Sequence, residues 1–522
     1  MSDNTRIEKC GSIWQLQMLG VIVLSLLVEG AIYAADGEAV RSTLLSEMDL
    51  RNIDSYLERQ LTEANIPGAA LVIVEGDRVT HVRGFGIAGP DSRPVTGETQ
   101  FYLGSVTKSF TALAVMQLVE TGQIELEAPI QNYLPWFRVA HADASSEMKV
   151  KHLLNHTSGF STYAGRTHFT ASDISAEAIE RRVRTLQTPK LISPVGERFQ
   201  YSNANYCVLG AIIESVSGQS YEDYVKERIY KPLDMANSYT SEAAAQQNDL
   251  ATGYRYWFGR PISAADVPRP RGDLPAMFLI SCARDMGNYL LAHMNGGMFG
   301  ETHVLSESGI SRLHTPERKD LIYAMGWIVG SVDNVKTLGH TGRTPTFYVG
   351  MEIFPERRRA FALLINAQNQ LSGPDVASLV SMVELNMVGM MAMPISKAPK
   401  LHLNLALLGA LLVGQVIGLT LSLRHVYRSY RFPHVRPGRR HRINLVRRGL
   451  TFVFDVTLVA GMIWWIPQIF EAPLFGILLY APDAGWLLLL NAALAVTSIV
   501  GAVCTAAFLL YQQSRRVKMN SD

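Results

Sequence analysis

Hydrophobic positions follow two patterns along the main part of this 522-residue chain. Over 36–399, short apolar runs alternate with turn residues and helical repeats, which is typical of a globular domain. Farther along, the stretches 403–423, 450–470 and 486–511 are each long and apolar enough to cross the hydrocarbon core of a bilayer as a helix. We therefore predict one globular domain followed by a three-helix membrane region, 400–522.

The globular part has strand patterns at both of its ends. The stretch "NIPGAALVIVEGDRVTHVRGFGIA" holds two β-rich runs around a turn at 75–77, which predicts a hairpin. Late in the domain, "AMGWIVGSVDNVKTLGH", "FYVGMEIFP" and "RAFALLINA" repeat this pattern, with turns at 333–334 and 355–356. The residues between these ends read as helical. The pattern predicts an α+β fold, with an antiparallel sheet flanked by helices and a helical subdomain.

Residues 1–35 read as an export segment. Arg6 and Lys9 precede an apolar run over 16–28, and small residues follow it up to a cleavage region near Ala34. A cleaved signal peptide and an uncleaved N-terminal anchor both fit this pattern. Either one predicts that the globular domain is exported.

Arginines set the predicted orientation of the membrane region. The segment 424–448 between the first two apolar stretches holds many arginines and no acidic residue, whereas 471–485 holds Glu471 and Asp483 and no base. Positively charged loops stay in the cytoplasm. We therefore predict an Arg-rich cytoplasmic loop at 424–448 and a multi-pass protein of the bacterial cytoplasmic (inner) membrane, with a periplasmic or extracellular globular domain.

Charge and cysteine usage exclude several classes of protein. The formal net charge is +2, and the globular part shows no basic stripe with interleaved aromatics, so nucleic acid is not a predicted partner. The sequence has neither a C-x-x-C pair nor a Cys/His cluster at metal-ligand spacing, so we predict no metal and no cofactor. Cys207 and Cys282 could form a disulfide or remain buried thiols.

A serine and a lysine begin the predicted site chemistry. The stretch "FYLGSVTKSFTALAVMQLVETGQ" places Ser105 at the start of a helix that ends near Gly122, with Lys108 one turn later. Positions i and i+3 share a helix face, so the amine can lie beside the hydroxyl and assist its deprotonation. The helix N-terminus adds a partial positive charge and free N–H groups. Alone, Ser-x-x-Lys is a weak signal.

Two further elements could complete this site. Tyr201 and Asn203 lie in a loop just before a second helix, where a tyrosine near ammonium groups can ionise more readily and act as a general base. Asn203 could hold the lysine or a substrate amide, or only cap the helix. In "LGHTGRTPTFYVG", His340 and Gly342 end a β run, and the backbone N–H groups of Arg343 and Ser105 could form an oxyanion hole.

In their order and spacing, Ser105-x-x-Lys108, Tyr201-x-Asn203 and His340-Thr341-Gly342 resemble the three motifs of the serine β-lactamase and penicillin-binding-protein superfamily, class C branch. The resemblance covers nearly all of the globular domain, including "HLLNHTSGF" and "YEDYVKERIYKPLDM". It implies that Ser105 is the nucleophile and that Lys108 and Tyr201 share proton transfer. The substrate-binding residues that it implies are Asn203, His340, Gly342 and Arg343. The β-lactamases proper usually have lysine in place of His340, so the resemblance favours a peptidase or esterase.

A globular domain of this kind followed by three apolar stretches resembles a second group, the prodrug-activating peptidases of nonribosomal peptide pathways, such as the colibactin maturation peptidase. This resemblance implies an enzyme that removes an acyl-D-amino-acid cap, in that group acyl-D-asparagine, from an exported precursor. It also implies a set of pocket residues. These are Tyr102, Asn203, Asp273, Arg343 and Thr346.

Other readings stay open at this stage. One is a penicillin-binding-type D,D-peptidase, esterase or β-lactamase that acts on cell-wall peptides or antibiotics. Another is a membrane sensor that a β-lactam acylates, although the short stretch after Tyr511 leaves little room for a cytoplasmic output domain. The predicted partners are a peptide or acyl-peptide small molecule and the lipid bilayer, and the membrane helices could also pair two copies of the chain.

Overall fold

The computed structural model describes residues 45–371, 373–390, 400–431 and 439–519. The predicted export segment, 1–35, and the boundary at residue 399 lie outside the described residues.

One seven-stranded antiparallel sheet joins the two ends of the globular domain. Its order is β2-β1-β13-β12-β11-β10-β9, and β1 pairs with β13 from Ala69↔Ile365 to Glu75↔Arg359. The strands of this sheet are β1 Gly68–Glu75, β2 Arg78–Gly86, β9 Tyr323–Ala324, β10 Trp327–Val332, β11 Val335–Arg343, β12 Tyr348–Phe354 and β13 Arg359–Ile365. The predicted antiparallel sheet from both ends of the domain is thus confirmed.

Shorter strands form one three-stranded sheet and two strand pairs outside this sheet. They are β3 Gln100–Tyr102, β4 Tyr254–Trp257, β5 Arg260–Ser263, β6 Ile280–Cys282, β7 Met298–Phe299, β8 Thr302–His303 and β14 Ala367–Gln368. The pairing of β3 with β6 matters for the site, because the turn Gly104–Val106, which carries Ser105 and is called the serine turn, follows soon after β3.

Helices cover both faces of the large sheet. They are α1 Glu47–Glu63, α2 Thr107–Glu120, α3 Ala142–Glu147, α4 Val150–Leu154, α5 Thr162–Arg166, α6 Ala178–Arg184, α7 Asn203–Ser217, α8 Tyr221–Val225, α9 Glu242–Gln246, α10 Leu274–Met277, α11 Ala283–Met294, α12 Glu307–Leu313 and α13 Val376–Met387. Alternate residues of β1 lie in two separate hydrophobic clusters, as a strand buried on both faces requires. One cluster contains α1 and α13, and the larger one contains α2 and α7, which belong to the helical subdomain.

Three helices of the terminal region could span a membrane by length and composition: Leu405–Arg428, Gly449–Ile469 and Pro482–Phe508. They lie within α14 Lys400–Arg431, α15 Arg439–Ala460 with its continuation through α16 Ile466–Ile469, and α18 Pro482–Met519. The short helix α17 Leu474–Tyr480 lies between the second and third of them. The predicted loop 424–448 is therefore helical up to Arg431 and again from Arg439, while 432–438 lies outside the described residues. Arginine is a good helix former, so both helices can continue past their apolar parts.

Cys207 and Cys282 are buried and unpaired within the described part of the chain. Cys207 lies in α7, and its Sγ donates to Asp273 Oδ1 at 3.2 Å. Of the two alternatives left open by the sequence, the structure has the buried thiols.

Candidate active site

Ser105 lies on a turn that leads into a helix. The residues Gly104–Val106 form a 3-10 turn that leads directly into α2, and Gly104 has a φ of +54°. Glycine adopts this left-handed conformation without the steric penalty that a Cβ brings. A Cβ at Gly104 would also collide with the backbone nitrogen of Arg343. The turn thus holds Ser105 close to the end of β11.

The side chain of Lys108 is fully buried beneath this turn. Its Nζ donates to Ser105 Oγ at 3.1 Å, to Asn203 Oδ1 at 2.8 Å and to the carbonyl oxygen of Ala276 at 2.8 Å. Burial lowers the pKa of Lys108 to about 7, and the charge of Arg166 adds to this effect, whereas Cys207 and Asp273 oppose it. Near neutral pH, the amine can therefore exist in its neutral, proton-accepting form.

Tyr201 and Asn203 come from the loop that starts α7. Ser202 is the residue before the helix, and its backbone N–H donates to His156 Nδ1 at 3.2 Å. Lys108 Nζ lies 4.8 Å from the centre of the Tyr201 ring. The sequence-predicted Ser105, Lys108, Tyr201 and Asn203 thus lie together.

The protonation of Tyr201 differs from our expectation. Burial raises the pKa of the Tyr201 phenol above its usual value, and a hydrogen bond with Ser105 and the charge of Arg166 only partly offset this. We expected a neighbouring ammonium to make this phenol ionise more readily. Because only about half of Lys108 is protonated at pH 7, it supplies less positive charge than a surface lysine does. The shares of Lys108 and Tyr201 in proton transfer stay a prediction.

The end of β11 forms the other side of the serine turn. A Cβ at Gly342 would collide with the carbonyl oxygen of Leu103 and would lie 3.1 Å from the backbone nitrogen of Ser105. Only glycine allows this approach of strand and turn. This placement brings the two predicted oxyanion-hole nitrogens into one region. The Arg343 guanidinium lies 5.3 Å from the centre of the Tyr348 ring, and its contact with substrate stays a prediction.

His340 is buried and already has two hydrogen-bond partners. Its Nδ1 donates to the carbonyl oxygen of Thr341 at 2.7 Å, which leaves Nε2 to accept from the Tyr323 hydroxyl at 3.2 Å. Burial and the charge of Lys108 lower the pKa of His340 to about 3, so the imidazole is neutral. Its ring centre lies 6.3 Å from that of Tyr201. Direct contact between His340 and substrate stays a prediction.

The sequence did not single out two aromatic partners of this cluster. His156 lies 4.4 Å from Tyr201 and 4.7 Å from Tyr323 between ring centres, and its Nδ1 lies 2.7 Å from Asn205 Nδ2. The stretch "HLLNHTSGF" did carry a family resemblance, which was the available signal for His156. No pattern around Tyr323 indicated that its hydroxyl reaches His340.

Several predicted pocket residues are buried among protein neighbours. Tyr102 packs edge-on against Phe278, and Thr346 is also buried. Asp273 Oδ1 accepts from Arg182 Nε at 3.1 Å, and both side chains are fully buried. Asp273 therefore forms an internal ion pair. Among the described residues, no group of three or more His, Cys, Asp or Glu side chains is placed to hold a metal ion.

A family model for β-lactamase matches residues 53–379, which is more than half of the chain. The chain belongs to the β-lactamase family of serine hydrolases. The match covers the serine turn, the Tyr201 loop and β11, so all the motifs of the candidate site lie inside the family's domain. The three apolar helices lie beyond it.

Curated relatives and solved structures agree with this membership. Protein flp of Staphylococcus aureus (strain N315) is 25% identical over 345 residues, which are 63% of this chain and 65% of that protein. Penicillin-binding protein 4 of Amycolatopsis lactamdurans is 29% identical over 58% of this chain and 82% of its own length. The chain thus spans about 65% of the length of Protein flp.

Two solved structures share the fold. The octameric penicillin-binding protein homologue from Pyrococcus abyssi is 28% identical, with a TM-score of 0.57 over 66% of this chain and 78% of that one. The D-alanine carboxypeptidase AmpC from Burkholderia cenocepacia is 21% identical, with a TM-score of 0.54 over 66% of this chain and 99% of its own, and it supports the fold alone. Both cover about two thirds of this β-lactamase-family chain.

Proposed function

We propose that this protein is a membrane-anchored, extracytoplasmic serine peptidase that cleaves an amide bond through an acyl-enzyme on Ser105. The observation that carries this proposal is the contact between Lys108 Nζ and Ser105 Oγ at 3.1 Å. Burial lowers the pKa of Lys108 to about 7, which matches the requirement for a general base that works near neutral pH.

The proposed acylation begins when Ser105 Oγ attacks the substrate carbonyl carbon. The hydroxyl proton passes to neutral Lys108, directly or through the Tyr201 hydroxyl, and the backbone N–H groups of Ser105 and Arg343 stabilise the oxyanion. The carbon–nitrogen bond then breaks, and the same proton returns through Tyr201 to the leaving amine. Water attacks the acyl-enzyme, its proton restores the Ser105 hydroxyl, and the acid leaves.

Two observations support an anchored domain outside the cytoplasm. Three helices are long and apolar enough to span a bilayer. The segment between the second and third helices packs on the catalytic domain, where Arg166 Nη1 donates to the carbonyl oxygen of Phe470 at 2.8 Å. That segment and the domain therefore lie on the same side, and the arginines at 424–448 favour the opposite side as the cytoplasmic one.

For the substrate, we propose an acyl-D-amino-acid cap on an exported nonribosomal-peptide precursor. The support is the combination of this fold with a three-helix tail and the histidine at position 340. The competing substrate is a cell-wall peptide or an antibiotic, which the names of the penicillin-binding relatives favour. Cultures that produce the natural product separate the two, because a Ser105→Ala strain should accumulate an acylated precursor under the first proposal alone.

A covalent probe tests the acyl-enzyme proposal directly. The full chain in detergent is incubated with a fluorophosphonate, whose fluoride leaves as Ser105 Oγ bonds to phosphorus. Mass spectrometry should find a single adduct, on Ser105, and Ser105→Ala should remain unlabelled. Labelling of the wild type at another residue, or at none, contradicts the proposal.

The same preparation distinguishes an enzyme from a β-lactam sensor. The enzyme should release repeated equivalents of acid from a p-nitrophenyl ester or a peptide. A sensor should instead keep a permanent β-lactam adduct on Ser105 without turnover.

A further inference from the structure

A short segment between the second and third apolar helices lies against the catalytic domain. We call Phe470–Ala481 the membrane-proximal segment. It begins directly after the second apolar helix, contains the short helix α17 Leu474–Tyr480, and ends immediately before the third apolar helix at Pro482.

Its first residues are linked to the Tyr201 loop by a chain of hydrogen bonds. Gln200 Nε2 donates to Glu471 Oε1 at 3.2 Å and to Thr162 Oγ1 at 2.6 Å. The Thr162 hydroxyl in turn donates to the carbonyl oxygen of Tyr201 at 2.6 Å. Arg166, at the end of the same helix α5, holds the carbonyl oxygen of Phe470. The segment is therefore linked to the backbone of Tyr201 through the side chains of Gln200 and Thr162.

Its last residues are fixed to the catalytic domain as well. The backbone N–H of Gln370 donates to the carbonyl oxygen of Tyr480 at 2.9 Å, and the Tyr480 ring lies 5.5 Å from that of Phe169. Just beyond, buried Asp483 accepts from the backbone N–H of Phe258 at 3.1 Å. Because both ends are held, the helix between them has a defined place on the domain.

The surroundings of Tyr480 include groups from both sides of the candidate site. Burial raises the pKa of its phenol, while the charges of Arg166 and Arg343 lower it, and Asp273 and Tyr201 raise it. Tyr201 belongs to the helical side of the site, and Arg343 ends strand β11. The Phe169 ring that Tyr480 meets lies three residues beyond α5, and α5 packs on the start of α7, since a Cβ at Gly165 would collide with the backbone nitrogen of Asn203. Tyr480 therefore packs next to the helix that adjoins the loop carrying Tyr201.

We propose that the membrane-proximal segment forms one wall of the catalytic cleft and that Tyr480 is a specificity-determining residue that contacts the substrate beyond the bond that is cleaved. This inference rests on the proposed function, because it assumes that the substrate is bound covalently at Ser105. It adds a part of the site that lies outside the family's matched domain, 53–379.

The proposal has a consequence for substrate access. Both neighbours of the wall are helices that could span a membrane, and Tyr480 stands two residues before the third of them. The side of the cleft that the membrane-proximal segment forms therefore lies next to the bilayer surface. The portion of the substrate away from the cleaved bond then lies between the domain and the membrane.

A crosslink from the acylated serine tests the position of this wall. Ser105 of the full chain in detergent is labelled with a fluorophosphonate that carries a biotin tail, in variants with p-benzoylphenylalanine at one position. Irradiation should crosslink the tail in the Tyr480→p-benzoylphenylalanine variant. The matched control is Phe475→p-benzoylphenylalanine on the same helix, where the native side chain is 69% exposed and little crosslink is expected.

The outcomes separate this inference from the proposed function. If Ser105 is labelled but position 480 gives no more crosslink than position 475, the proposed position of the membrane-proximal segment is wrong. The acyl-enzyme proposal is then unaffected. If Ser105 is not labelled, the proposed function fails, and this inference fails with it.

Labelling rates give a second, independent measure. Tyr480→Ala should slow labelling by the long biotinylated probe about fivefold, because an aromatic contact to the bound tail is lost. Labelling by the small reagent phenylmethylsulfonyl fluoride should stay within about twofold of wild type. Phe475→Ala should change neither rate. Equal slowing of both reagents by Tyr480→Ala would indicate a disturbed serine and overturn the assignment of Tyr480 to substrate contact.

Discussion

Two buried cations lie close together in this domain, and their surroundings give them opposite properties. Lys108 donates to three uncharged oxygens, those of Ser105, Asn203 and Ala276, and burial lowers its pKa to about 7. For Arg182, burial also acts to lower the pKa, but the carboxylate of Asp273 and the thiol of Cys207 raise it above its usual value. One cation can lose its proton at neutral pH, and the other cannot.

Helix α7 contacts both surroundings from successive turns. Asn203 in its first turn faces Lys108, whereas Cys207 one turn later contacts Asp273. A buried charge is tolerated when a counter-ion and hydrogen bonds replace water, and it is neutralised otherwise. The difference teaches that the amine becomes a base because its hydrogen-bond acceptors are neutral, and that the guanidinium stabilises the fold because its partner is charged.

The largest effect is expected when the amine is removed. Lys108→Met should reduce acylation of Ser105 by about a thousandfold, because it removes the proton acceptor. The free energy of unfolding should fall by about 1–3 kcal/mol, because Asn203 Oδ1 and the carbonyl oxygen of Ala276 stay buried and lose their donor. The measurements are the labelling rate with a fluorophosphonate and denaturant unfolding of the full chain in detergent.

An exposed lysine provides the matched control for this variant. Lys231→Met removes an amine that pairs with Glu227 on the surface, and it should leave the labelling rate unchanged. Labelling of Lys108→Met at more than a tenth of the wild-type rate would show that another group accepts the proton.

The next effect concerns the other cation and is one of stability. Arg182→Met leaves the Asp273 carboxylate buried without its partner, which should lower the free energy of unfolding by about 3–5 kcal/mol. The double variant Arg182→Met, Asp273→Leu should recover most of this loss, because it removes both buried charges. Denaturant unfolding of the same preparations measures both values.

The surface pair Lys231–Glu227 again gives the comparison, since Lys231→Met should cost less than about 1 kcal/mol. If Arg182→Met were as mild as this surface change, the contrast between the two cations would be wrong.

The two cations also show what the sequence can and cannot predict. Ser-x-x-Lys within a helix pattern placed Ser105 beside Lys108, because positions three apart in a helix share one face. The strand patterns at both ends of the domain likewise predicted the sheet, since alternation and turn residues are local signals. These parts of the site and fold follow from neighbours in the chain.

The remaining parts depend on contacts between distant residues. The direction of the Tyr201 pKa follows from burial, which no short pattern reports. The pairing of Arg182 with Asp273 joins residues 91 positions apart, and the contact of Arg166 with Phe470 joins residues 304 positions apart. The predicted pocket role of Asp273 overlooked its ion pair for this reason. Only packing of the whole chain brings such groups together.

The smallest effect is a change in pH dependence, and it tests why Lys108 is a base. The labelling rate of wild-type Ser105 should rise with pH around a midpoint of about 7, because neutral Lys108 is the active form. At pH 6, it should be roughly one tenth of its plateau value. Arg166→Gln should move the midpoint to higher pH, since the charge of Arg166 helps to lower the pKa of Lys108.

Arg166→Lys separates this charge effect from the contact that Arg166 makes with Phe470. A lysine keeps a positive charge at the same position, so the midpoint should stay near 7 even if the contact with the membrane-proximal segment weakens. A neighbouring cation destabilises the ammonium form of Lys108 and so lowers its pKa. Removing that cation therefore raises the pKa of Lys108 and moves the midpoint to higher pH. A midpoint that stays at about 7 in Arg166→Gln would mean that burial alone sets the basicity of Lys108, and an equal shift in both variants would mean that the contact of Arg166, not its charge, is responsible.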